Sequence, residues 1–178
     1  SDATATINDA DESAIDATAL SAIGAKTTGT VTVTNAISIA GSPSEVTAAL
    51  VTEGSLVEVT DAVVSISGNP TITELNNIAA KTTGVVTATL AADSLSNLGA
   101  LTTAGTDAIT ITVNDADAAA LTASDLSTLG GKTAGTVTVT NAVAITGSAS
   151  ELTAALVTAG SLVEVSDATA TVNDADAS

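Results

Sequence analysis

The side chains best suited to chemistry in this chain are carboxylates and amides gathered in three copies of the run Asn-Asp-Ala-Asp. The copies are Asn8, Asp9 and Asp11, followed by Glu12; Asn114, Asp115 and Asp117; and Asn173, Asp174 and Asp176. Asn and Asp are standard residues of chain corners and helix N-caps, and a helix pattern follows each run, so the sequence favours that role. The alternative is a calcium site, because clustered oxygen ligands after a strand suit a hard cation. Neither the EF-hand spacing nor the glycine-rich nonapeptide of calcium-dependent β-rolls is present.

Catalysis has few other groups to use, because the chain contains neither His nor Cys. Its three bases are all lysines at one repeated position: Lys26, Lys81 and Lys132. A cation there predicts a favourable contact with the end of a helix dipole; an ion pair or an amide crosslink to a neighbouring segment is the alternative. Catalytic sites depend on a distinctive set of groups rather than a repeated one, so we predict that the chain is not an enzyme.

The charge balance narrows the range of partners. Twenty acids against three bases give a formal net charge of −17. Nucleic acid and anionic membranes would be repelled by such a surface, whereas divalent cations are natural counter-ligands. No stretch approaches the roughly 18 apolar residues needed to cross a bilayer. We therefore predict no nucleic acid partner and no membrane insertion.

Internal copying is the main organising feature of the chain. Residues 22–61 return 106 positions later as residues 128–167, with 29 of 40 residues unchanged. Residues 1–11 return at 166–176 with a single Ile-to-Val difference. Self-similarity on two scales is typical of repeat arrays. We expect residues 1–178 to be one continuous segment, an excerpt of a longer array.

Six glycines mark the period of the array, at Gly29, Gly54, Gly84, Gly105, Gly135 and Gly160. Their mean spacing is about 26 residues, which falls in the range of solenoid repeats. Helical patterns precede these glycines: Ser42-Pro43-Ser44-Glu45 predicts a capping box, and Asn69-Pro70 predicts another helix start. Alternating Val and Thr runs follow them and predict short strands, each ending at an Asx-Ala corner such as Asn35-Ala36.

These observations predict a fold class. We expect a β-solenoid of parallel strands with short helices in about six coils, closing near residues 29, 54, 84, 105, 135 and 160. A core built from Val, Ile, Leu and Ala, without any aromatic residue or Met, favours such a thin interior. The alternative is an α/β solenoid like that of leucine-rich repeats.

The run at residues 26–36, its copy at 132–142 and the Thr-Ala-Ala-Leu-Val-Thr run at 47–52 resemble repeat regions of large secreted and cell-surface proteins of cyanobacteria and other marine bacteria. This resemblance implies an extracellular location and a structural role in a fibre, surface layer or adhesin stalk. Together with the repeats, it predicts end-to-end assembly with copies of the same chain or with adjacent repeats. The alternatives are a calcium-binding module and an ice-binding module, the second suggested by outward Thr-x-Thr pairs.

Overall fold

A computed structural model describes residues 1–161 and 163–174 of the chain. These residues contain six α-helices and twelve β-strands. The chain divides into two compact units, Ser1–Thr89 and Leu90–Ser178. That all 178 residues form one continuous segment stays a prediction.

Strands and helices alternate in the first unit. Its elements are β1 (Ala5–Ile7), β2 (Ala14–Asp16), α1 (Ala17–Gly24), β3 (Val31–Val33), β4 (Ser38–Gly41), α2 (Pro43–Leu50), β5 (Val63–Ile66), α3 (Ile72–Ala79) and β6 (Val86–Thr89). Strand β1 pairs with β3, and β2, β4, β5 and β6 lie side by side in that order. Every pairing is parallel.

The second unit follows the same plan. Its elements are α4 (Leu95–Leu98), β7 (Ala108–Val113), β8 (Ala120–Thr122), α5 (Ala123–Gly130), β9 (Val137–Val139), β10 (Ala144–Gly147), α6 (Ala149–Leu156), a 3₁₀ turn (Ala159–Ser161), β11 (Glu164–Val165) and β12 (Thr169–Val172). Strand β9 lies between β7 and β11, and β10 lies between β8 and β12. These pairings are also parallel.

Five of the six helices in the described residues begin where a side-chain cap satisfies an amide of the first turn, and α1 is the exception. The predicted capping box at Ser42 is confirmed, since the Ser42 side chain accepts from Glu45 N and Glu45 Oε2 accepts from Ser42 N at 2.7 Å. Ser148 and Glu151 repeat this arrangement at α6. The helix start predicted at Asn69-Pro70 lies two residues later, because Thr71 forms a capping box with Glu74. Hydroxyl and carboxylate together satisfy amides at the helix start.

The core is aliphatic, and the helices supply much of it. Seven of the twelve largest fully buried side chains lie on helices: Leu20, Leu50, Leu75, Ile78, Leu98, Leu126 and Leu129. The inward valines predicted on β3, Val31 and Val33, are buried as expected. Each helix covers the strands next to it with a Leu- and Ala-rich face, which is the layered packing of α/β proteins.

The predicted fold class was therefore wrong. The chain is an α/β fold of parallel sheets with six helices in the described residues, and neither a β-solenoid with short helices in about six coils nor a leucine-rich-repeat-like solenoid. The prediction treated the helices as small interruptions of a strand wall. Five of the six helices in the described residues are instead eight residues long, three of them start at a capping box, and their buried leucines form a layer of the core.

The six glycines also differ from the prediction of equivalent helix ends. Helix α2 ends at Leu50, four residues before Gly54, and Gly54 is not in the left-handed conformation of a helix-ending glycine. Gly29, Gly84 and Gly135 instead pack against neighbouring backbone: a Cβ built on each would lie 2.3 to 2.5 Å from a carbonyl oxygen. Gly54 and Gly160 face open space. The glycines of this series are therefore not equivalent: three of them allow close backbone packing, whereas Gly54 and Gly160 have room for a side chain.

Candidate functional site

Two of the three Asn-Asp-Ala-Asp runs lie in a repeated interaction between chain segments. We call residues 1–11, 107–117 and 166–174 the latch segments, and residues 26–36 and 132–142 the receiver segments. The first latch binds the first receiver, and the second latch binds the second. The two interfaces are equivalent residue by residue, at the same offset of 106 positions that relates the long repeats.

At the start of each interface, a backbone N–H and a threonine hydroxyl of the receiver donate hydrogen bonds to carbonyl groups of the latch. Thr28 N donates to Ser1 O at 2.7 Å, and Ala134 N donates to Asp107 O at 2.7 Å. The Thr27 hydroxyl donates to the carbonyl of Ala3. The equivalent Thr133 hydroxyl is buried and donates to Ile109 O at 2.8 Å. The following glycine of each receiver leaves room for this close backbone approach.

A parallel strand pair continues each interface. In the first, Ala5, Thr6 and Ile7 of β1 lie opposite Val31, Thr32 and Val33 of β3. In the second, Ile111, Thr112 and Val113 of β7 lie opposite Val137, Thr138 and Val139 of β9. The strand pairing ends in bonds from Thr34 N to Ile7 O and from Thr140 N to Val113 O, both 3.2 Å long.

The Asn-Asp-Ala-Asp run then closes around the Asn-Ala corner of the receiver. Asn35 Nδ2 donates to Asn8 Oδ1 at 3.4 Å and to the Asp9 carbonyl. Ala36 N donates to Asp11 Oδ1 at 3.1 Å, and Glu12 N donates to Ala36 O at 2.7 Å. The carboxylate of Asp11 therefore accepts a hydrogen bond from a backbone N–H of the corner.

The second interface repeats this geometry. Asn141 Nδ2 donates to Asn114 Oδ1 at 3.0 Å and to Asp115 O at 2.6 Å. Ala142 N donates to Asp117 Oδ1 at 3.2 Å. Glu12 and its equivalent Ala118 have φ values of 63° and 60°, which no other non-glycine residue among those described shares. A left-handed residue turns the latch back onto the corner in both copies.

The same runs also reach backward to cap a preceding helix. Asp115 Oδ2 accepts from Leu95 N of α4 at 2.7 Å. Asp174 accepts from Ala149 N of α6 at 3.2 Å through Oδ1 and 3.1 Å through Oδ2. The second latch thus caps a helix that precedes it in the chain and also binds the corner of the receiver that follows it. The first latch binds its receiver corner, and the third latch caps the preceding helix α6.

The structure places the predicted calcium ligands in corners and caps. Asn8, Asp9 and Asp11 lie together, as do Asn114, Asp115 and Asp117, and Asn173 lies beside Asp174; Asp176 lies outside the described residues. Within the part of the chain that the structure describes, no three acidic, His or Cys side chains are grouped closely enough to hold a metal ion. Asp11, Asp117, Asp115 and Asp174 accept backbone N–H bonds instead. The calcium site stays a prediction.

The fold lowers the pKa of three carboxyl groups that lie at helix starts, Glu45, Glu74 and Asp93. The backbone N–H of Ser42, with its hydroxyl, holds the pKa of Glu45 below the ordinary value of 4.5. Thr71 lowers the pKa of Glu74 in the same way. The Asn97 side-chain amide, with the Ser94 N–H, lowers the pKa of Asp93. Bonds that favour the charged carboxylate cause all three shifts.

The lysines differ from the prediction of a cation in the last helical turn. Lys26, Lys81 and Lys132 each lie two residues beyond the last helical residue. Lys132 donates from Nζ to Gly99 O at 2.6 Å. It borders a cleft of about 480 Å³ beside the four-residue helix α4, which Asp115 and Asp125 also line. Both carboxylates already accept capping bonds, so the cleft shows no group set aside for a ligand.

Sequence reasoning missed the receivers. The sequence predicted Asn35-Ala36 as a local corner, whereas the amides of Asn35 and the equivalent Asn141 bind the latch of a neighbouring segment. The signal was present in the sequence, because the runs at Asn8 and Asn114 both precede an Asn-Ala corner by 27 residues.

Comparison with known proteins found no match to a protein-family model, a curated protein or a solved structure. In the described residues, no helix has the length and apolar content needed to span a bilayer. The function must therefore be argued from the interfaces described above.

Proposed function

We propose that this chain is a structural repeat segment of an extracellular filament, surface layer or adhesin stalk. It assembles end to end with further repeats or with copies of itself. It carries out no catalysis in this role. The support comes from side chains that are buried at one repeat and exposed at the equivalent position of another.

Ile23 and Leu129 form the first such pair. They occupy equivalent positions in α1 and α5, but Ile23 is 41% exposed whereas Leu129 is 1% exposed. Ile23 borders an apolar groove of about 450 Å³, formed with the first latch and Ala22. An exposed apolar groove at a position that is elsewhere covered indicates a surface for another repeat.

Val172 and Ile66 form the second pair. They end the equivalent strands β12 and β5, yet Val172 is 59% exposed and Ile66 is 6% exposed. Strand β12 is the outermost strand of its sheet, and all four of its residues are exposed. An open strand edge with exposed apolar residues is a site for pairing with another chain. This exposed edge is the observation that carries the proposal.

The acidic surface favours assembly through these faces over lateral aggregation. At a net charge of −17, sides that carry carboxylates repel one another. The exposed Ile23 and Val172 are uncharged contacts that burial stabilises. An uncharged contact is therefore the one that the net charge of the chain opposes least.

Sedimentation velocity over a range of concentrations tests the proposal. We expect species heavier than the 16.9 kDa monomer that grow with concentration. Val172→Asp should shift the mass distribution back toward monomer, because it introduces a charge at the open edge. Val63→Asp is the matched control, since Val63 is an exposed strand valine on β5. A monomer at all concentrations, or equal effects of the two variants, would contradict the proposal.

The alternatives named from the sequence remain predictions. Melting curves with calcium and with a chelator test a calcium-binding module, because a bound ion raises the melting temperature. A thermal hysteresis measurement tests ice binding.

A further inference from the structure

We propose that the third latch segment, residues 166–174, binds the first receiver segment, residues 26–36, of a second copy and replaces the first latch of that copy. This inference rests on the proposed end-to-end assembly and names the segments that form its contact. The partner is another molecule of this same chain.

The sequence of the third latch fits the first receiver almost without change. Residues 166–174 repeat residues 1–9, and the difference is Val172 in place of Ile7. The residues that meet the receiver through β1 are Ala5, Thr6 and Ile7, whose equivalents are Ala170, Thr171 and Val172 in β12. The backbone bonds that Ser1, Ala5 and Ile7 make with the receiver can therefore form with Ser166, Ala170 and Val172 in their place.

The third latch already has the correct backbone conformation for this contact. It forms strand β12, whose inner edge pairs in parallel with β10. Thr169 N donates to Val143 O at 2.9 Å, which turns the alternate amides, including that of Ala170, toward the open edge. Ala5, the equivalent of Ala170, uses its amide to bind Thr30 O at 3.0 Å. The open edge of β12 thus presents the same donors that β1 uses.

The second latch shows that one segment can bind on both sides. Residues 107–117 hold the helix start at Leu95 through Asp115 and clasp the corner at Asn141 and Ala142. The third latch makes the first of these two interactions, because Asp174 accepts a bond from Ala149 N at the start of α6. If the open edge of β12 bound a receiver, the third latch would make both interactions that the second latch makes: a helix cap and a receiver contact.

Exchange costs little free energy because it replaces one contact with a near-identical one. The second copy loses the bonds from its first latch and gains the same bonds from the third latch of its neighbour. Val172, which is 59% exposed in the single copy, would take the position of the half-buried Ile7, and this burial favours the exchange. Exchange of identical elements between protomers is a low-cost route to assembly.

Disulfide trapping between two single-cysteine variants tests the exchange, since the natural chain contains no Cys. In the first interface Thr6 lies opposite Thr32, so Thr171 of one copy should lie opposite Thr32 of another. We expect mixed Thr171→Cys and Thr32→Cys proteins to form a disulfide-linked heterodimer on oxidation. Each variant alone gives the background.

Thr138→Cys is the matched control for Thr32→Cys. It occupies the equivalent position, but its neighbour Thr112 lies within the six-residue strand β7 and cannot be released as a short segment can. We expect at least about tenfold less heterodimer with this control. Equal yields from the two mixtures would overturn the exchange.

Hydrogen exchange on the unmodified chain gives a second test that needs no variant. On concentration, the Ala5 amide should lose protection and the Ala170 amide should gain it, while the Thr34 amide stays protected because it only changes partner. Association without these changes overturns the exchange and leaves the proposed function intact. The absence of any association overturns both.

Discussion

At the scale of single residues, the helix caps set the local stability of this protein. Thr71 and Glu74 satisfy amides at the start of α3, and three bonds of 2.8 to 3.1 Å join the two residues. The chain has no aromatic residue or Met to enlarge its core. Contributions on the order of 1 kcal/mol from each cap therefore matter more than they would in a larger core.

Thr71→Ala should lower the free energy of unfolding by about 1 kcal/mol, because it removes the acceptor for Glu74 N. Thr73→Ala is the control: Thr73 lies in the same helix, is exposed, and should change stability by no more than about 0.5 kcal/mol. Denaturant unfolding of both variants makes the comparison. Equal losses would show that the cap does not act as described.

The capping carboxylates also predict a pH dependence. The pKa of Glu74 is lowered in the folded state, so its stabilising effect is present above the ordinary value of 4.5 and is lost as the pH falls through the lowered pKa. The stability difference between the natural chain and Glu74→Gln should therefore shrink below pH 4.5. Unfolding measured at several pH values tests this. A difference that grows in acid would reverse the assigned direction of the shift.

At the scale of elements, glycines control how closely neighbouring segments pack. Gly135 lies against the backbone of Ile109, where an added Cβ would be 2.3 Å from the carbonyl oxygen. The second receiver can contact its latch only because this side chain is missing. Gly54 belongs to the same sequence series but has nothing within 4 Å.

Gly135→Ala should therefore destabilise the protein by more than about 2 kcal/mol, because the receiver and latch must move apart. Gly54→Ala should be neutral within about 0.5 kcal/mol. Thermal and denaturant unfolding of the two variants give the comparison. If the two substitutions had the same cost, close backbone packing would not be the reason for the repeated glycine.

The sequence predicted local elements better than their arrangement. Ser42 and Glu45 predict their helix correctly because a capping box is decided by residues three apart. The corner at Asn35 could not be predicted correctly, because its amide binds Asp9, which is 26 positions away. The fold class failed for a similar reason, since the depth of the helix layer depends on packing between repeats.

The candidate site was predicted in its residues but not in its arrangement. The sequence favoured chain corners and caps for Asp11 and Asp117 and kept a cation site as the alternative. The structure shows each carboxylate accepting a backbone N–H of the next repeat. A carboxylate suits a cation and an amide equally well, so residue type alone could not distinguish the two.

At the scale of the whole molecule, charge opposes the association that apolar edges favour. Copies of a chain with net charge −17 repel one another until salt screens the charges, over a Debye length of roughly 10 Å at 0.1 M. Val172 and Ile23 carry no charge, so their burial does not weaken in salt.

Raising the salt concentration from about 0.02 M to about 0.3 M should therefore strengthen self-association by roughly tenfold. Light scattering at constant protein concentration measures the change. Val172→Asp should remain closer to monomer at both salt concentrations. Association that weakens with salt would show that ion pairs hold the copies together, and the proposed apolar contact would be wrong.

Electron microscopy of the concentrated protein tests the central claim most directly. If the open edge of β12 and the first receiver join successive copies, the images should show unbranched linear assemblies that Val172→Asp shortens and Val63→Asp leaves unchanged. Single particles at every concentration, or branched aggregates that respond equally to both substitutions, would contradict end-to-end assembly.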